Sequence, residues 1–287
     1  MRRRSRADGH FLTTAALIAV FLAGLALLLY PTLSNLWNSF HQSAAIACYA
    51  EEVQTMDQTL TEEMLAAARS YNERLGGGDG STLGKSPEGT DYRSVLNIND
   101  TGIMGYIEIP KLGCSLPIYH GTDEAVLQVG VGHIEGSSLP VGGEGTHCVL
   151  SGHRGLPSAR LFTDLDRLEP GDVFRIRVLD QVLSYEVDRI LIVLPEETQA
   201  LEAVPGCDYC TLVTCTPYGV NTHRLLVRGH RIEETAESRQ ARIVSDAVPV
   251  DSRLVALFTA LPLVLLAWAV MFASGSGHTG RKKRGGR

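Results

Sequence analysis

The chain has 287 residues, of which 44% are hydrophobic and 20% are charged, and its formal net charge is −6. That length accommodates one sizeable domain or two small ones. Nine of the 26 basic residues lie in the terminal tails, so residues 11–280 carry 17 basic and 31 acidic side chains, a net charge of −14. This acidic balance argues against nucleic acid as a partner, because phosphate binding needs a basic patch.

Two uncharged segments of twenty residues, 11–30 and 254–273, predict transmembrane helices. Each has the ~20 apolar residues that cross a ~30 Å hydrocarbon core. A cleaved signal peptide is the alternative for the first segment, but its apolar stretch is too long and no small-residue cleavage site follows Tyr30. A buried core helix is the alternative for the second, although membrane helices tolerate a proline such as Pro262.

The basic residues predict the orientation in the membrane. Four arginines precede the first apolar segment and five basic residues follow the second. Because basic flanks stay on the cytoplasmic side, both tails, 1–10 and 274–287, are predicted to be cytoplasmic. The sequence therefore predicts a two-pass protein of the cell membrane whose central part is extracytoplasmic.

Residues 31–75 are predicted to form a helical N-terminal region. From residue 43 onward this region lacks proline and glycine and is rich in Ala, Glu, Met and Leu, which favours a helix or a helix pair. The glycine-rich segment that follows predicts a flexible linker over 76–104. A second, juxtamembrane linker is expected over 236–253.

Residues 105–235 are predicted to form the catalytic domain. Short β-rich runs separated by Gly, Pro or Asp predict a mainly antiparallel barrel or sandwich. One short helix is predicted over 158–168, where four apolar residues have helical spacing. The candidate strands are 105–109, 116–119, 147–151, 173–178, 183–193, 211–215 and 225–231.

The run from Thr211 to Pro217 predicts a strand that presents the thiol of Cys215. Alternating Thr and Val favour a half-buried strand, and the proline ends it, so the cysteine lies where substrate can reach it. A nucleophilic thiol needs a cationic neighbour that favours the thiolate, and histidine is the usual one. His153 is the candidate, because it follows a strand at a Gly-flanked turn, whereas His147 lies inside that strand and is expected to be structural.

An acyl-transfer site also needs a donor for the developing oxyanion. Arg224, nine residues after the cysteine, could supply a charged and forked donor from the next strand. Arg228 lies on the same face of that strand and is the alternative, since spacing alone does not separate the two.

Six cysteines in an exported domain could form up to three disulfides. The pair Cys207-x-x-Cys210 invites a redox or zinc interpretation, but a single such pair is a weak signal. Cys114, Cys148 and Cys210 lie in strand patterns, where buried free thiols are the expected state. The disulfide state of these residues and of Cys48 stays open, and no metal is expected.

These runs resemble the sortase family. Thr211-Leu212-Val213-Thr214-Cys215 with Arg224 nine residues later is similar to the sortase signature. The wider pattern resembles the class C, pilus-assembling sortases of Gram-positive bacteria over about residues 92–232. It comprises Gly105-Tyr106-Ile107-Glu108-Ile109-Pro110, Leu116-Pro117-Ile118-Tyr119-His120-Gly121, Ser151-Gly152-His153-Arg154-Gly155-Leu156-Pro157 and Thr216-Pro217-Tyr218-Gly219-Val220-Asn221-Thr222-His223-Arg224.

The resemblance implies a closed eight-stranded sortase-type β-barrel with short helices, an N-terminal helical segment and two transmembrane helices. It implies a site of Cys215, His153 and Arg224, with no cofactor. Such enzymes cleave a Leu-Pro-x-Thr-Gly-like sorting signal between Thr and Gly through a thioester, which a pilin lysine resolves. The partners implied are pilin subunits and the lipid bilayer.

Further site residues are candidates on the same basis. Thr214 and Thr216, which flank the cysteine, are predicted to bind substrate. Class C enzymes usually carry a lid with an Asp-Pro-aromatic motif, which this chain lacks; Tyr92 is the nearest remnant, and the alternative is that it merely packs where the barrel begins. A housekeeping sortase that anchors proteins to cell-wall peptide and a non-catalytic barrel that binds sorting signals are the alternative functions.

Overall fold

The computed structural model describes residues 4–76, 83–98 and 100–233. The predicted linker 236–253, second transmembrane helix 254–273 and C-terminal tail 274–287 lie outside the described residues. The described part consists of two long N-terminal helices and a closed β-barrel.

Helices α1 (Arg4–Thr55) and α2 (Gln58–Gly76) form the N-terminal part of the molecule. They confirm the predicted helix pair, with the break between Thr55 and Gln58. Helix α1 includes the predicted membrane segment 11–30 and passes through Pro31 without ending. By length and composition, the described residues contain one helix that could cross a membrane, and it is α1.

Eight strands close into one barrel, as predicted. Their order around the barrel is β1-β2-β3-β4-β7-β8-β6-β5, and pairing of β5 with β1 closes the ring. The strands are β1 (Ile103–Ile109), β2 (Cys114–His120), β3 (Val131–His133), β4 (Thr146–Ser151), β5 (Val173–Val178), β6 (Gln181–Val193), β7 (Asp208–Thr216) and β8 (His223–Ile232).

All seven candidate strands are confirmed, with ends that differ by up to three residues. The three-residue β3 was missed, because a strand this short leaves little periodic signal. Most pairings are antiparallel, as expected, but β2 with β3 and β4 with β7 are parallel. A short helix, α3 (Glu124–Leu127), lies between β2 and β3.

The helix predicted over 158–168 is wrong. The segment forms turns and a single 3₁₀ turn at Leu165–Arg167. Leu161 has a φ of 36°, a left-handed value that no α-helix contains. The four apolar residues are nevertheless all buried, so their spacing reflects a loop folded onto the core: Leu161, Phe162, Leu165 and Leu168.

The segment 92–98, predicted to belong to a flexible linker, packs into the hydrophobic core. Tyr92, Leu96 and Ile98 are at most 5% exposed and belong to the same cluster as the barrel interior. The barrel unit therefore begins before the predicted boundary at residue 105.

Helix α1 is fixed to the barrel by side chains well beyond its apolar segment. The hydroxyl of Tyr49 donates to the carbonyl of Met104 (2.9 Å) and accepts the N–H of Leu179 (2.8 Å), and the ring is 3% exposed. Nearer the apolar segment, Asn38 Nδ2 donates to the carbonyl of Ser158 (2.8 Å). These bonds tie α1 to the barrel at both ends of its C-terminal half.

Candidate active site

Three neighbouring strands bring the predicted catalytic residues together. In the parallel pair β4 and β7, Ser151 lies opposite Val213, so His153 and Cys215 each follow two residues beyond a paired position. In the antiparallel pair β7 and β8, Cys215 lies opposite Arg224. The backbone positions of the three residues therefore lie in one row across one end of the sheet.

Strand alternation places this row on the outer face of the barrel. Cys210 and Leu212 belong to the interior cluster, whereas Val213 belongs to a separate cluster on the other face of the sheet. Since side chains alternate along a strand, Cys215 shares the outer face with Val213. Cys215 is partly exposed, so its sulfur is open to approach from outside.

The same alternation turns Thr214 and Thr216, which are predicted to bind substrate, toward the barrel interior. Both face inward and are at most 7% exposed. The hydroxyl of Thr214 donates to the carbonyl of Gly152 (2.7 Å), and that of Thr216 accepts from Arg154 Nη1 (3.3 Å). Each threonine thus ties the cysteine strand to the backbone or side chain beside His153, which is a positioning contact.

Backbone hydrogen bonds fix the position of His153. The N–H of Gly152 donates to the carbonyl of Val213, and the N–H of Phe162 donates to the carbonyl of His153, both at 3.1 Å. A Cβ at Gly152 would lie 2.6 Å from the Phe162 ring. Only glycine permits this approach, because heavy atoms do not come that close without displacement.

Glu124, on helix α3, lies beside the imidazole of His153. Its Oε2 is 3.7 Å from His153 Nε2, a nitrogen that is buried and has no hydrogen-bond partner within the described ranges. The carboxylate is mostly exposed, and Gln128 Nε2 donates to its other oxygen (2.6 Å). The sequence analysis missed Glu124, which lies 29 positions before His153 in an unremarkable four-residue helix.

The structure separates Arg224 from Arg228. Arg228 forms a two-point ion pair with Asp188 (3.0 and 2.6 Å) and lies 4.1 Å from the centre of the Tyr209 ring. In the β7–β8 ladder Arg228 lies opposite Thr211, which is four positions before Cys215. Arg224 lies opposite Cys215, and its Nη1 donates only to backbone carbonyls of residues 221 and 223; no carboxylate pairs with it in the part of the chain that the structure describes.

The loops that follow β4 and β7 also contact each other. Gly155, two residues after His153, has a φ of 80°, and a Cβ there would lie 3.0 Å from the Tyr218 ring. Arg154 Nη2 donates to Asp166 Oδ2 (2.6 Å) in the loop after β4. The loop carrying the histidine and the loop after the cysteine are thereby packed together.

Two other predicted residues lie away from this row. His147 is 2% exposed; its Nδ1 bonds the carbonyl of Glu202 and its Nε2 bonds the hydroxyl of Thr211. Burial lowers the pKa of His147, which favours the neutral form. It is structural, as expected.

Tyr92 is also buried, with its hydroxyl 2.8 Å from His133 Nδ1 and donating to the carbonyl of His133 (3.1 Å). That hydroxyl accepts the N–H of Gly121 as well. These contacts correspond to the packing role, and they give no support to a lid role for Tyr92.

An apolar patch lies directly beside the row. Val149, Val213 and Leu226 form a buried cluster on the outer face, and the β6–β7 loop covers it with Leu201. Leu226 is two residues from Arg224 on β8, and Val213 is two residues from Cys215 on β7. The patch is therefore next to Arg224 and Cys215 on the same face of these two strands. Within residues 4–76, 83–98 and 100–233, no group of three or more His, Cys, Asp or Glu side chains is arranged so that it could hold a metal ion.

A closed barrel that presents a cysteine, a histidine and an arginine in one row is the arrangement of a cysteine transpeptidase. The Sortase domain model matches residues 107–232. Sortase D of Bacillus subtilis is 30% identical over 179 residues, which are 61% of this chain and 84% of that protein. Sortase A of Streptococcus agalactiae is 29% identical over 53% of this chain and 67% of that protein.

Solved structures give a finer classification. Sortase C1 of Streptococcus agalactiae is 51% identical, with a TM-score of 0.64, over 67% of this chain and 100% of that one. Sortase C of Streptococcus pneumoniae, described with reference to its pilin substrate specificity, is 45% identical, with a TM-score of 0.61, over 67% of this chain and 98% of that one. This chain belongs to the sortase family and, within it, to class C.

Proposed function

We propose that this enzyme is a membrane-anchored transpeptidase that polymerises pilin subunits. It cleaves an LPxTG-like sorting signal between Thr and Gly and joins the new carboxyl end to a lysine amine of the next pilin. The observation that supports this most is the row of His153, Cys215 and Arg224 across β4, β7 and β8, beside an apolar patch on the same face.

The thiolate of Cys215 attacks the carbonyl carbon of the threonine in the sorting signal. The carbonyl π electrons move to oxygen, and the guanidinium of Arg224 stabilises the resulting oxyanion. When the oxyanion collapses, the C–N bond breaks, and imidazolium His153 gives its proton to the leaving glycine amine. The product is a thioester on Cys215 and a free C-terminal fragment.

In the second half of the reaction, His153 acts as a base instead of an acid. The lysine ammonium first loses one proton to solvent, and neutral His153 takes a second proton from the amine as it attacks the thioester. The C–S bond breaks, the thiolate of Cys215 is regenerated beside the new imidazolium, and an amide remains between the two pilins. No metal or organic cofactor takes part in this sequence of steps.

The cluster of Val149, Val213 and Leu226 lies one strand pair upstream of Cys215 and is buried beneath the β6–β7 loop. It holds that loop beside the cysteine, where an extended sorting signal would pass. The Glu124 carboxylate lies 3.7 Å from His153 Nε2 and can help to orient the imidazole.

In this proposal α1 anchors the barrel to the membrane through residues 11–30, and a second helix over 254–273 does so from the other end. Both tails are cytoplasmic and the barrel is extracytoplasmic. The apolar helix α1 and the basic residues before it support this placement.

A housekeeping sortase that joins proteins to cell-wall peptide is the second candidate. The similarity favours the pilus role, because the class C structures are 41–51% identical whereas Sortase A and Sortase D are 29–30% identical. A non-catalytic barrel that binds sorting signals is the third candidate, and the row of three functional groups disfavours it.

The test uses the full chain in detergent with an LPxTG-containing peptide and two competing amines. One amine is a lysine-containing pilin peptide and the other is a cell-wall peptide. Mass spectrometry should detect a thioester on Cys215 and a product joined through the lysine side chain. Exclusive transfer to the cell-wall peptide would support the housekeeping role instead.

Cysteine and histidine variants complete that test. Cys215→Ala should form no thioester, whereas Cys207→Ala, at a partly exposed cysteine before the same strand, should react normally. His153→Ala should slow alkylation of Cys215 near neutral pH, because the thiolate loses its cationic partner. Covalent capture by Cys215→Ala, or an unchanged alkylation rate in His153→Ala, would contradict the assigned roles.

A further inference from the structure

Two cysteines that the proposed reaction does not use face each other inside the barrel. Cys148 on β4 and Cys210 on β7 are directly paired in the parallel ladder, and they are 2% and 0% exposed. Adjacent strands are ~4.8 Å apart, which is within the ~4.4–6.8 Å range of Cα separations in disulfides. Because paired residues project from the same face, both thiols point into the core side by side.

The two thiols are already in contact. The Cys210 thiol and the imidazole of His133 both lie against Cys148. Burial works to raise the pKa of Cys148, but these two polar neighbours outweigh burial and lower the pKa. A thiolate is the form that attacks another sulfur in disulfide exchange.

We propose that Cys148 and Cys210 form a disulfide that cross-links the two strands carrying His153 and Cys215. The inference rests on the extracytoplasmic location of the barrel in the proposed function, because disulfides persist in such compartments. The oxidant is the disulfide of an exported thiol oxidoreductase. One thiolate attacks it to give a mixed disulfide, the other displaces the oxidoreductase sulfur, and the two electrons and two protons leave with the reduced dithiol.

The geometry selects this pair over the sequence neighbour Cys207. Positions 207 and 210 are three apart, so an extended strand turns their side chains to opposite faces. Cys207 is partly exposed and bonds the Tyr209 side chain, whereas Cys210 is in the interior cluster. Cys215 is also on the outer face, so the bridge leaves the nucleophile free.

The position of the bridge relates it to the active site. Cys148 lies five residues before His153, and Cys210 lies five residues before Cys215. A covalent link at these paired positions fixes the register of β4 against β7. A slip of one residue would turn His153 to the other face of the sheet, so the bridge keeps histidine and cysteine on one face.

The test counts thiols in the full chain, purified from a host that exports it. The protein is denatured in acid and alkylated with a maleimide polymer, with and without prior reduction. Without reduction, four of the six cysteines should be alkylated, and peptide mapping should find the Cys148 peptide joined to the Cys210 peptide. Alkylation of all six, or a link between other cysteines, would overturn the proposal.

Variants provide the matched controls. Cys148→Val should leave no protected thiol, so all five remaining cysteines are alkylated without reduction; Cys114→Ser should leave the same two protected. Reductant should lower the unfolding temperature of the wild type and leave that of Cys148→Val unchanged. An equal shift in both proteins would also count against the bridge.

Transfer activity is measured on the same preparations, so that the two proposals can fail separately. Six alkylated cysteines in a chain that joins pilin peptides would refute the bridge and leave the proposed function intact. A mapped bridge in a chain without transfer activity would refute the proposed function alone.

Discussion

Cys215 and Arg224 are directly opposite each other in the antiparallel pair of β7 and β8, so their side chains project from the same face of the barrel. The Arg224 guanidinium bonds the carbonyls of Asn221 and His223 and no carboxylate within the described residues. Arg228, on the same face of β8, is already occupied by Asp188 and the Tyr209 ring. The ladder register therefore puts Arg224, and not Arg228, opposite the cysteine.

Arg224→Ala should lower kcat for acyl transfer by about 10²–10³, the usual effect of removing one oxyanion donor. Arg228→Ala should leave kcat within a few-fold of wild type and lower the free energy of unfolding by about 1 kcal/mol, through its ion pair and ring contact. Thioester formation in a single turnover and urea unfolding measure the two effects. Equal losses of acyl-transfer rate would contradict the distinction.

Thr214→Val should reduce activity although the residue does not reach the outer face. The change removes the hydroxyl that bonds the carbonyl of Gly152, next to His153, and should cost about 1 kcal/mol of stability. We expect kcat to fall about tenfold with little change in KM. Thr211→Val is the control, since it removes a similar buried hydroxyl that bonds His147; a matching loss of kcat there would show that the effect is only one of stability.

Gly152→Ala should destabilise the protein by about 1–3 kcal/mol, because the new methyl group collides with the Phe162 ring. Phe162→Leu alone should also destabilise it, by removing buried apolar area. The double variant should lose less free energy of unfolding than the sum of the two. Strict additivity in urea unfolding would mean that the ring is not what excludes a side chain at position 152.

Glu124→Gln should reduce the rate at which Cys215 is alkylated near neutral pH by a few-fold. The carboxylate is an anion 3.7 Å from His153 Nε2, so it interacts electrostatically with the imidazole that acts on Cys215 in the proposed mechanism. Asp123→Asn is the matched control, because Asp123 pairs instead with Arg93 at 3.0 Å. A salt titration adds a second check, since the effect of such an exposed carboxylate should shrink at high ionic strength.

Stability should fall as the pH drops below about 6.5, in part because of His147. Burial lowers the pKa of His147 in the folded state, so the unfolded chain, with a histidine pKa of ~6.5, binds the proton more readily. The stability contributed by neutral His147 is therefore complete above the pKa of the unfolded chain. It is lost as the pH falls toward the lower pKa of the folded state. Burial lowers the pKa of His120 in the same direction.

His147→Gln should flatten that pH dependence by up to about 1.4 kcal/mol per pH unit. Urea unfolding at pH 7.5 and pH 5.5 measures the difference. His41→Gln, at an exposed position on α1, should keep the wild-type slope. A wild-type slope in His147→Gln would show that other groups carry the acid sensitivity.

The sequence predicted site residues where a strand-like alternation of side chains ends at a turn. Cys215 and His153 could be found because each follows an alternating run at a turn. Thr214 was predicted to bind substrate because it neighbours Cys215 in sequence, whereas strand alternation turns its side chain inward. Glu124 could not be found, since its contact with His153 depends on the parallel pairing of β2 with β3, which no local pattern encodes.

The segment 158–168 shows the converse error. Its apolar spacing was taken as helical, but a loop that must bury several side chains can produce the same spacing. The left-handed Leu161 depends on packing against the core, so local preference could not reveal it.

The continuity of α1 has a mechanical consequence. Tyr49 and Asn38 bind the barrel at two points on one unbroken helix, so the barrel cannot swivel independently of that helix. Any rotation of the apolar segment about its long axis turns the outer face that bears Cys215 by the same angle. The rotational orientation of the apolar segment would thus set the direction in which Cys215 faces.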